Sequence, residues 1–382
     1  MEPKQPQTEY ALEELLPYEQ PTPYIVNSTD YSDEYTTPVL TAGKSFILGY
    51  TNETNGIYDS LPVIIFDDFT TASQYVDFPF KVKSSAMKIL SPNTALVLPK
   101  YIYYRLQTIE FDHSTHKRYW IQQYSKIKIA IPSLSEQERI VAKIEELFSE
   151  LDNAVVTLEK AKRQLAVYRQ AVLIKAFSEI PDVVDMDTLA DMVDPQPSHR
   201  TPPEVADGIP YIGIGDIDYE HNKINFSDSR KVAIAVLSEH HVRYTVRNGD
   251  FIMGKIGTIG KPFQLPLPQN YALSANVILI QPKQQLIIPE FLFWQFASPL
   301  VVKQLISGAT ATSQPAFGIK KARKIKIRVC NIAKQEKLLS DINMKISMCD
   351  GIEKSIDAAL QQALMMRHSI LKQAFTEVSY DS

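Results

Sequence analysis

Between Pro132 and Glu179 the apolar residues return at alternating spacings of four and three: Ile140, Ile144, Leu147, Leu151, Ala154, Leu158, Ala161, Leu165, Tyr168 and Val172. This is a heptad seam, the pattern of a long helix that lays one stripe against another helix. The positions between are mostly Glu, Lys, Arg and Gln, and no Pro or Gly interrupts residues 134–180. Ser135 followed by Glu138 has the S-x-x-E spacing of a capping box, which predicts where the helix starts. At 1.5 Å per residue such a helix is on the order of 60–65 Å long.

The pattern is written twice. A shift of 198 positions (335 − 137) places Gln137-Glu138 on Gln335-Glu336 without a gap. Ile144 then meets Ile342, Asp152 meets Asp350, Gln164 meets Gln362, Arg169 meets Arg367 and Ala176-Phe177 meets Ala374-Phe375. Lys126-Ile127-Lys128-Ile129 falls on Lys324-Ile325-Lys326-Ile327 by the same shift. One unit, a domain followed by a helix, has been duplicated. The second seam is looser: Leu338, Ile342, Lys345, Cys349, Ile352, Ile356, Ala359, Ala363, Met366 and Ile370. If the two copies pair antiparallel, a pseudo-two-fold axis relates them and the preceding domains sit at opposite ends. Two independent helical hairpins, or a parallel coiled coil between chains, fit the same periodicity.

Before each helix the pattern changes to short apolar runs broken by turns. In the first domain these are Tyr24–Val26, Pro38–Leu40, Ser45–Leu48, Val63–Phe66 and Ala86–Leu90, with turn signals at Thr41–Lys44 and Thr54–Gly56. A helical patch at Leu12–Leu16 precedes them, residues 93–123 read as helical or irregular, and Lys126–Ile131 closes the domain as a strand. In the second domain the runs are Pro210–Ile214, Asp250–Met253 and Ala275–Ile280, with short helices at Glu290–Ser298 and Leu300–Ile306 and a closing strand at Lys324–Val329. The predicted fold class is α+β, with two mixed α/β domains separated by two long helices. The boundaries are 1–131 for the first domain, 132–180 for the central helix, 181–329 for the second domain and 330–382 for the C-terminal helix.

Composition changes little in this picture. A chain of 382 residues with 45% apolar and 22% charged content suits two or three soluble domains. Met1-Glu2-Pro3-Lys4 leads into polar sequence, so no signal peptide is expected, and no apolar window is long enough to span a membrane. Cys330 and Cys349 read as reduced thiols, which predicts a cytoplasmic protein. A net charge of −4 neither indicates nor excludes a nucleic-acid partner, because clustering matters more than the sum.

Catalytic motifs fail where they are tested. Gly254–Pro262 has the look of a phosphate-binding loop, but position 255 is Lys where Gly is required and Pro262 stands where Ser or Thr would hold a metal. It reads better as a turn-rich hairpin near a DNA backbone. Tyr211-Ile212-Gly213-Ile214-Gly215 is similar to the cofactor turn of adenine methyltransferases, yet Asp194-Pro195-Gln196-Pro197 is not the [DN]-P-P-[FY] motif such an enzyme needs. It reads as a strand with two turn glycines. None of His113, His116, His199, His240, His241 or His368 stands in a metal-binding spacing. Asp67-Asp68 reads as a strand-end turn in preference to a metal site. No catalytic residue, metal or cofactor is predicted.

Basic clustering is more informative. Lys320, Lys321, Arg323, Lys324, Lys326 and Arg328 lie within nine positions that hold no acid. A smaller cluster, His113–Tyr119, precedes the closing strand of the first domain. Such residues neutralise phosphates, while neighbouring Ser, Thr, Asn, Gln and Tyr can read base edges. A solvated strand edge is the plainer explanation of a charge run; its recurrence in corresponding places of both domains raises binding to an equal alternative. The predicted contacts are Lys44, Tyr50, Lys83, Ser84, Lys117, Arg118 and Tyr119 in the first domain. In the second they are His199, Arg200, Lys255, Thr258, Lys261, Asn276, Gln314, Lys320 and Lys321.

The segment Ile131-Pro132-Ser133-Leu134-Ser135-Glu136-Gln137-Glu138-Arg139-Ile140, followed by the heptad helix and Ala176-Phe177, resembles the start of the central helix in specificity subunits of type I restriction-modification systems. Asp67-Asp68-Phe69-Thr70, Ser84-Ser85-Ala86-Met87, Gly249-Asp250 with Gly257-Thr258-Ile259-Gly260, and Ser274-Ala275-Asn276 resemble that family's target-recognition domains. In the second copy, Cys330-Asn331-Ile332-Ala333-Lys334 replaces Pro-x-Leu-x-Glu. The resemblance implies a non-catalytic subunit whose two target-recognition domains each read one half of a bipartite double-stranded DNA target. The helical pair would set the spacer and dock two methylation subunits. It further implies S-adenosylmethionine on those subunits and cleavage by separate motor-nuclease restriction subunits. The competing expectations are a self-contained DNA methyltransferase or nuclease, and a coiled-coil scaffold carrying two ligand- or protein-binding domains.

Overall fold

The computed structural model describes residues 8–43, 45–112, 118–196, 198, 200–255, 260–309 and 317–380, with side chains to Thr376 in the last segment. The fold is mixed helix and strand. It divides into two units: Met1–Glu159 with Asp357–Ser382, and Lys160–Ile356. Two long helices, Leu134–Ser178 and Ile332–Tyr380, each contribute a segment to both units.

In the first unit a four-stranded antiparallel sheet has the order Tyr18–Glu19, Met87–Leu90, Val63–Asp67, Ser73–Val76. A three-stranded sheet has the order Ile47–Thr51, Thr37–Leu40, Lys81–Val82, its last pair parallel. The strand Thr8–Ala11 pairs antiparallel with the closing strand Lys128–Ile131. Val63-Ile64-Ile65-Phe66 reads as an unbroken apolar run because both faces of its strand are covered. Ile64 and Phe66 enter a core with Leu12, Leu15, Trp120 and Tyr124, whereas Val63 and Ile65 enter another with Leu40, Phe80 and Val82.

The second unit repeats this plan. Its four-stranded sheet has the order Ala190–Val193, Val277–Pro282, Phe251–Gly254, Phe263–Gln264. Its three-stranded sheet has the order Lys231–Val232, Glu204–Ile212, Ala272–Leu273, again with the last pair parallel. Val183–Asp185 closes on Lys326–Arg328. Phe251 and Met253 face one core while Ile252 faces the other, the same division of a central strand between two cores. The strands that the hydrophobic pattern did not predict, such as Thr8–Ala11, Ser73–Val76 and Ala190–Val193, are short and half-exposed or polar.

Each unit pairs its two helix segments antiparallel. In the first, Ile140, Ile144 and Phe148 from the start of one helix pack with Leu371 and Phe375 from the end of the other. In the second, Leu173, Ala176 and Phe177 pack with Leu339, Ile342 and Ile346. The duplication extends to single bonds. Arg367 donates to Asp152 at 2.8 Å in the first unit, and Arg169, its counterpart at the 198-residue shift, lies 2.7 Å from Asp350 in the second. Arg367 also stacks 4.4 Å over the Phe148 ring, and Arg169 adds a bond to Glu353.

Two expectations for the helices are corrected. The first helix begins earlier than the Ser135–Glu138 box implied: Ser133 is the cap, its Oγ accepting from Glu136 N–H. In the second copy Asn331, at the equivalent position, accepts from Lys334 N–H at 2.9 Å. The Cys-Asn-Ile-Ala-Lys variant therefore keeps a capping side chain where one is needed. The seam is also less buried than a heptad suggests. Tyr168, Ile352 and Met366 are 50%, 49% and 45% exposed. A two-stranded pair covers one narrow stripe, and a helix of 3.6 residues per turn drifts off a 3.5-residue repeat. Burial is deepest at Ile144 and Ile342, where the globular part also covers the helix.

Candidate nucleic-acid interface

In the first unit the structure gathers Tyr50 and Lys83 around one loop. Tyr50 lies on the edge strand Ile47–Thr51, and its carbonyl accepts from Ser32 N–H at 3.1 Å. Lys83 is exposed and its Nζ stands 5.9 Å from the Tyr31 ring. Gly49 is required here, because a Cβ would lie 2.7 Å from the Cβ of Tyr31. Ser84 sits beside Lys83 with its Oγ turned to Ala86 N–H. Ile47 and Leu48, 40% and 38% exposed, border the same patch.

A second exposed point is built on Asp67-Asp68. Asp67 Oδ1 accepts from Phe69 and Thr70 N–H, both at 2.9 Å, which makes the strand-end turn. The fully buried Asp68 accepts Trp120 N–H on Oδ1 at 2.8 Å and Tyr119 N–H on its carbonyl at 2.9 Å. Its other oxygen lies 3.1 Å from Lys88 Nζ, off the hydrogen-bond direction, in an ion pair with no exposure on either side. These bonds fasten the loop after Val63–Asp67 to residues 118–120. Phe69 is thereby held 43% exposed with the Arg118 guanidinium 6.0 Å from its ring.

Tyr119 is a correction. It is 1% exposed and packs edge-on against Phe111 at 4.9 Å, so it belongs to the core and not to the surface cluster it follows in sequence. Short-range spacing placed it with Lys117 and Arg118; the helical turn at Tyr119–Gln122 rotates it inward.

In the second unit Lys255 and Asn276 come together, each with an internal duty. Lys255 N–H donates to Asn276 O at 2.7 Å, and Lys255 Nζ donates to Asp194 Oδ2 at 2.8 Å. Asn276 Oδ1 accepts from Ile214 N–H at 3.2 Å and from Ser274 Oγ. Gly213 is closely packed here, since a Cβ would meet Ser274 Oγ at 2.7 Å and Asn276 Oδ1 at 2.8 Å and force those side chains to shift. The tyrosine-led glycine turn is thus a packed strand end. Asp194 also begins the segment that carries Arg200. Arg243 donates to the carbonyls of Asp194 and Pro195, and buried His240 bonds Gln196 Oε1 at 2.7 Å and Tyr244 OH at 2.9 Å. Burial, with Arg243 and His241 nearby, pushes the His240 pKa down to about 4, so its ring is neutral at pH 7. Arg200 itself is exposed, and its carbonyl accepts from Gln196 Nε2. Lys261 lies 5.4 Å from the Tyr219 ring, whose hydroxyl donates to Lys261 O.

The late basic run is balanced in space though not in sequence. Lys324 and Lys326 both pair with Asp185, at 3.0 and 2.7 Å, across the closing strand pair. Arg328 donates to Ile180 O, Arg323 to Met192 O and Lys321 to Gly308 O. Lys320 stays exposed on the short helix Ile319–Ala322. The run is therefore mainly a solvated strand edge. Lys44, Lys117, His199, Thr258 and Gln314 lie outside the described residues. The sequence reading missed Tyr31, Phe69, Ile47 and Leu48, whose signal was an apolar residue set among turn formers.

Among the described residues there is no group of three or more His, Cys, Asp or Glu able to hold a metal ion, and no helix is long and apolar enough to cross a membrane. A cavity of about 140 Å³ beside Phe177, Gln295 and Arg328 in the second unit is smaller than a usual small-molecule site of roughly 300–1,000 Å³.

The architecture has counterparts among solved structures. A chain from a study of complex assembly and conformational transition of the type I R-M system aligns over 97% of both chains with a TM-score of 0.68 at 14% identity. The HsdS subunit from Thermoanaerobacter tengcongensis aligns over 97% of this chain and 96% of its own with a TM-score of 0.53 at 13% identity. At such identities the likeness is one of fold. Residues 6–165 match the family described as Type I restriction modification DNA specificity domain. That match covers the first globular part and the start of the long helix Leu134–Ser178. The specificity subunit of the type I restriction enzyme EcoR124I/EcoR124II from Escherichia coli is 50% identical over 174 residues, 42% of this chain and 43% of its own. That of EcoBI, also from Escherichia coli, is 23% identical over 274 residues, 65% of this chain and 57% of its own. The alignments thus span about half the length of these curated relatives.

Proposed function

We propose that this chain is the non-catalytic DNA-specificity subunit of a type I restriction-modification complex. Each unit reads one half of a bipartite double-stranded target, and the two long helices set the unread spacer. The observation that carries this reading is a shared frame with unlike surfaces. The two units keep the same strand order and the same helix joint, yet one presents Tyr50, Lys83, Phe69 and Arg118 and the other Arg200, Lys261 and Lys320. A duplicated frame suits the uniform phosphate backbone, and differing side chains suit two different base sequences. Two methylation subunits, carrying S-adenosylmethionine, and motor-nuclease subunits complete the complex in the cytoplasm.

The test is binding of the chain, assembled with methylation subunits, to a duplex carrying its target. With roughly 6–10 phosphates neutralised, affinity should fall by about 10³–10⁵ between 50 and 200 mM salt. Methylome sequencing of cells carrying the complex should return one bipartite motif. Salt-independent binding, or methylation in which no bipartite motif appears, contradicts the reading.

A further inference from the structure

The joint between each globular part and its long helix is built on one buried glutamine. Gln137 and Gln335 lie in the first turn of the two helices, and both are 0% exposed. In the first unit Gln137 Nε2 donates to Leu96 O at 3.0 Å and to Pro132 O at 2.9 Å, and its Oε1 accepts Leu98 N–H at 2.8 Å. In the second unit Gln335 Nε2 donates to Cys330 O at 2.8 Å and to Leu286 O at 3.4 Å, and its Oε1 accepts Ile288 N–H at 2.8 Å. The same amide binds the same three places twice. These are the exit of the closing strand, a loop, and the residue that caps a short helix, Pro99–Leu106 or Pro289–Ala297.

That short helix rests on the long-helix segments of its own unit. Tyr104 meets Phe148 edge-on at 5.7 Å and Tyr101 meets Phe375 at 5.4 Å in the first unit, and Phe291 meets Phe177 at 5.3 Å in the second. Aromatic packing alone tolerates some rotation, because it has little directionality. Three hydrogen bonds from one amide do not, since each fixes a distance and an angle. A buried, satisfied polar group of this kind selects one geometry where an apolar side chain of equal volume would accept several.

We propose that Gln137 and Gln335 are positioning residues for the spacing between half-sites. They hold each globular part at one angle on its helix and so narrow the range of spacers the chain accepts. This rests on the DNA-reading function proposed above. Neither residue meets DNA.

The experiment compares binding to duplexes with the native spacer and with spacers one base pair longer or shorter, using the chain assembled with methylation subunits. Variants are Gln137→Met, Gln335→Met and the double. Met keeps the length of the side chain and removes all three bonds. Each single variant should lower the preference for the native spacer by about threefold or more, the double further, with the half-site bases read unchanged. A chain that is merely less stable loses active fraction for every duplex alike. Ile64→Val, which loosens the β core, is therefore the control and should leave the ratio unchanged. An unchanged ratio in folded Gln variants overturns the inference while leaving the proposed function intact. A wild-type chain with no spacer preference overturns the helical ruler and this inference with it.

Discussion

A side chain's sequence neighbours are a poor guide to what it touches, and the basic residues here show why. Lys324 and Lys326 stand in an acid-free run, but Asp185 reaches them from the opposite strand. Tyr119 follows two cations in sequence and turns into the core. Lys83 and Arg118, by contrast, are exposed over aromatic rings. Replacing either with Ala should weaken DNA binding about equally across sequences and reduce the slope of log K against log salt by about 0.9 for each phosphate left without its cation. An unchanged slope would remove that residue from the interface. His240 makes a separate prediction. Its folded pKa of about 4 lies below the ordinary 6.5, so the unfolded chain binds the proton first as pH falls. The stability it contributes is complete above pH 6.5 and is lost between there and pH 4. Thermal melts should therefore fall over that window by more in the native chain than in His240→Gln, and equal falls would contradict the assignment.

The long helices were legible because their signal is repeated many times. The heptad seam, the absence of Pro and Gly in the first copy, and the 198-residue register each point to the same element. Their ends were less legible, since Ser133 and Ser135 are both credible caps and only the backbone geometry separates them. The central strands, Val63–Asp67 and Val277–Pro282, were read from continuous apolar runs that two covered faces demand. Two-residue strands such as Lys81–Val82 and Ala272–Leu273 are set by tertiary pairing and leave no periodic trace. The duplication makes a quantitative claim about matching positions. Ile144 and Ile342 are related by the shift, and both are 0% exposed at the foot of a helix segment. Changing either to Ala should cost about 2–5 kcal/mol, measured by urea unfolding. A cost under about 1 kcal/mol at one and not the other would show that the two joints are not equivalent.

On the scale of the whole chain, one plan is written twice. Strand order, the parallel pair, the closing strand, the capped helix and the Arg–Asp ion pair all recur, while the exposed residues of the two units diverge. Frame and exposed surface are thus carried by different positions, and under the proposed function one unit's half-site can change without the other. The most direct measurement exchanges residues 24–125 for the corresponding segment of another specificity subunit and sequences the methylome of cells carrying the chimera with its partners. One half of the methylated motif should change while the other half and the spacer stay fixed. A change in both halves, or in neither, would contradict the account.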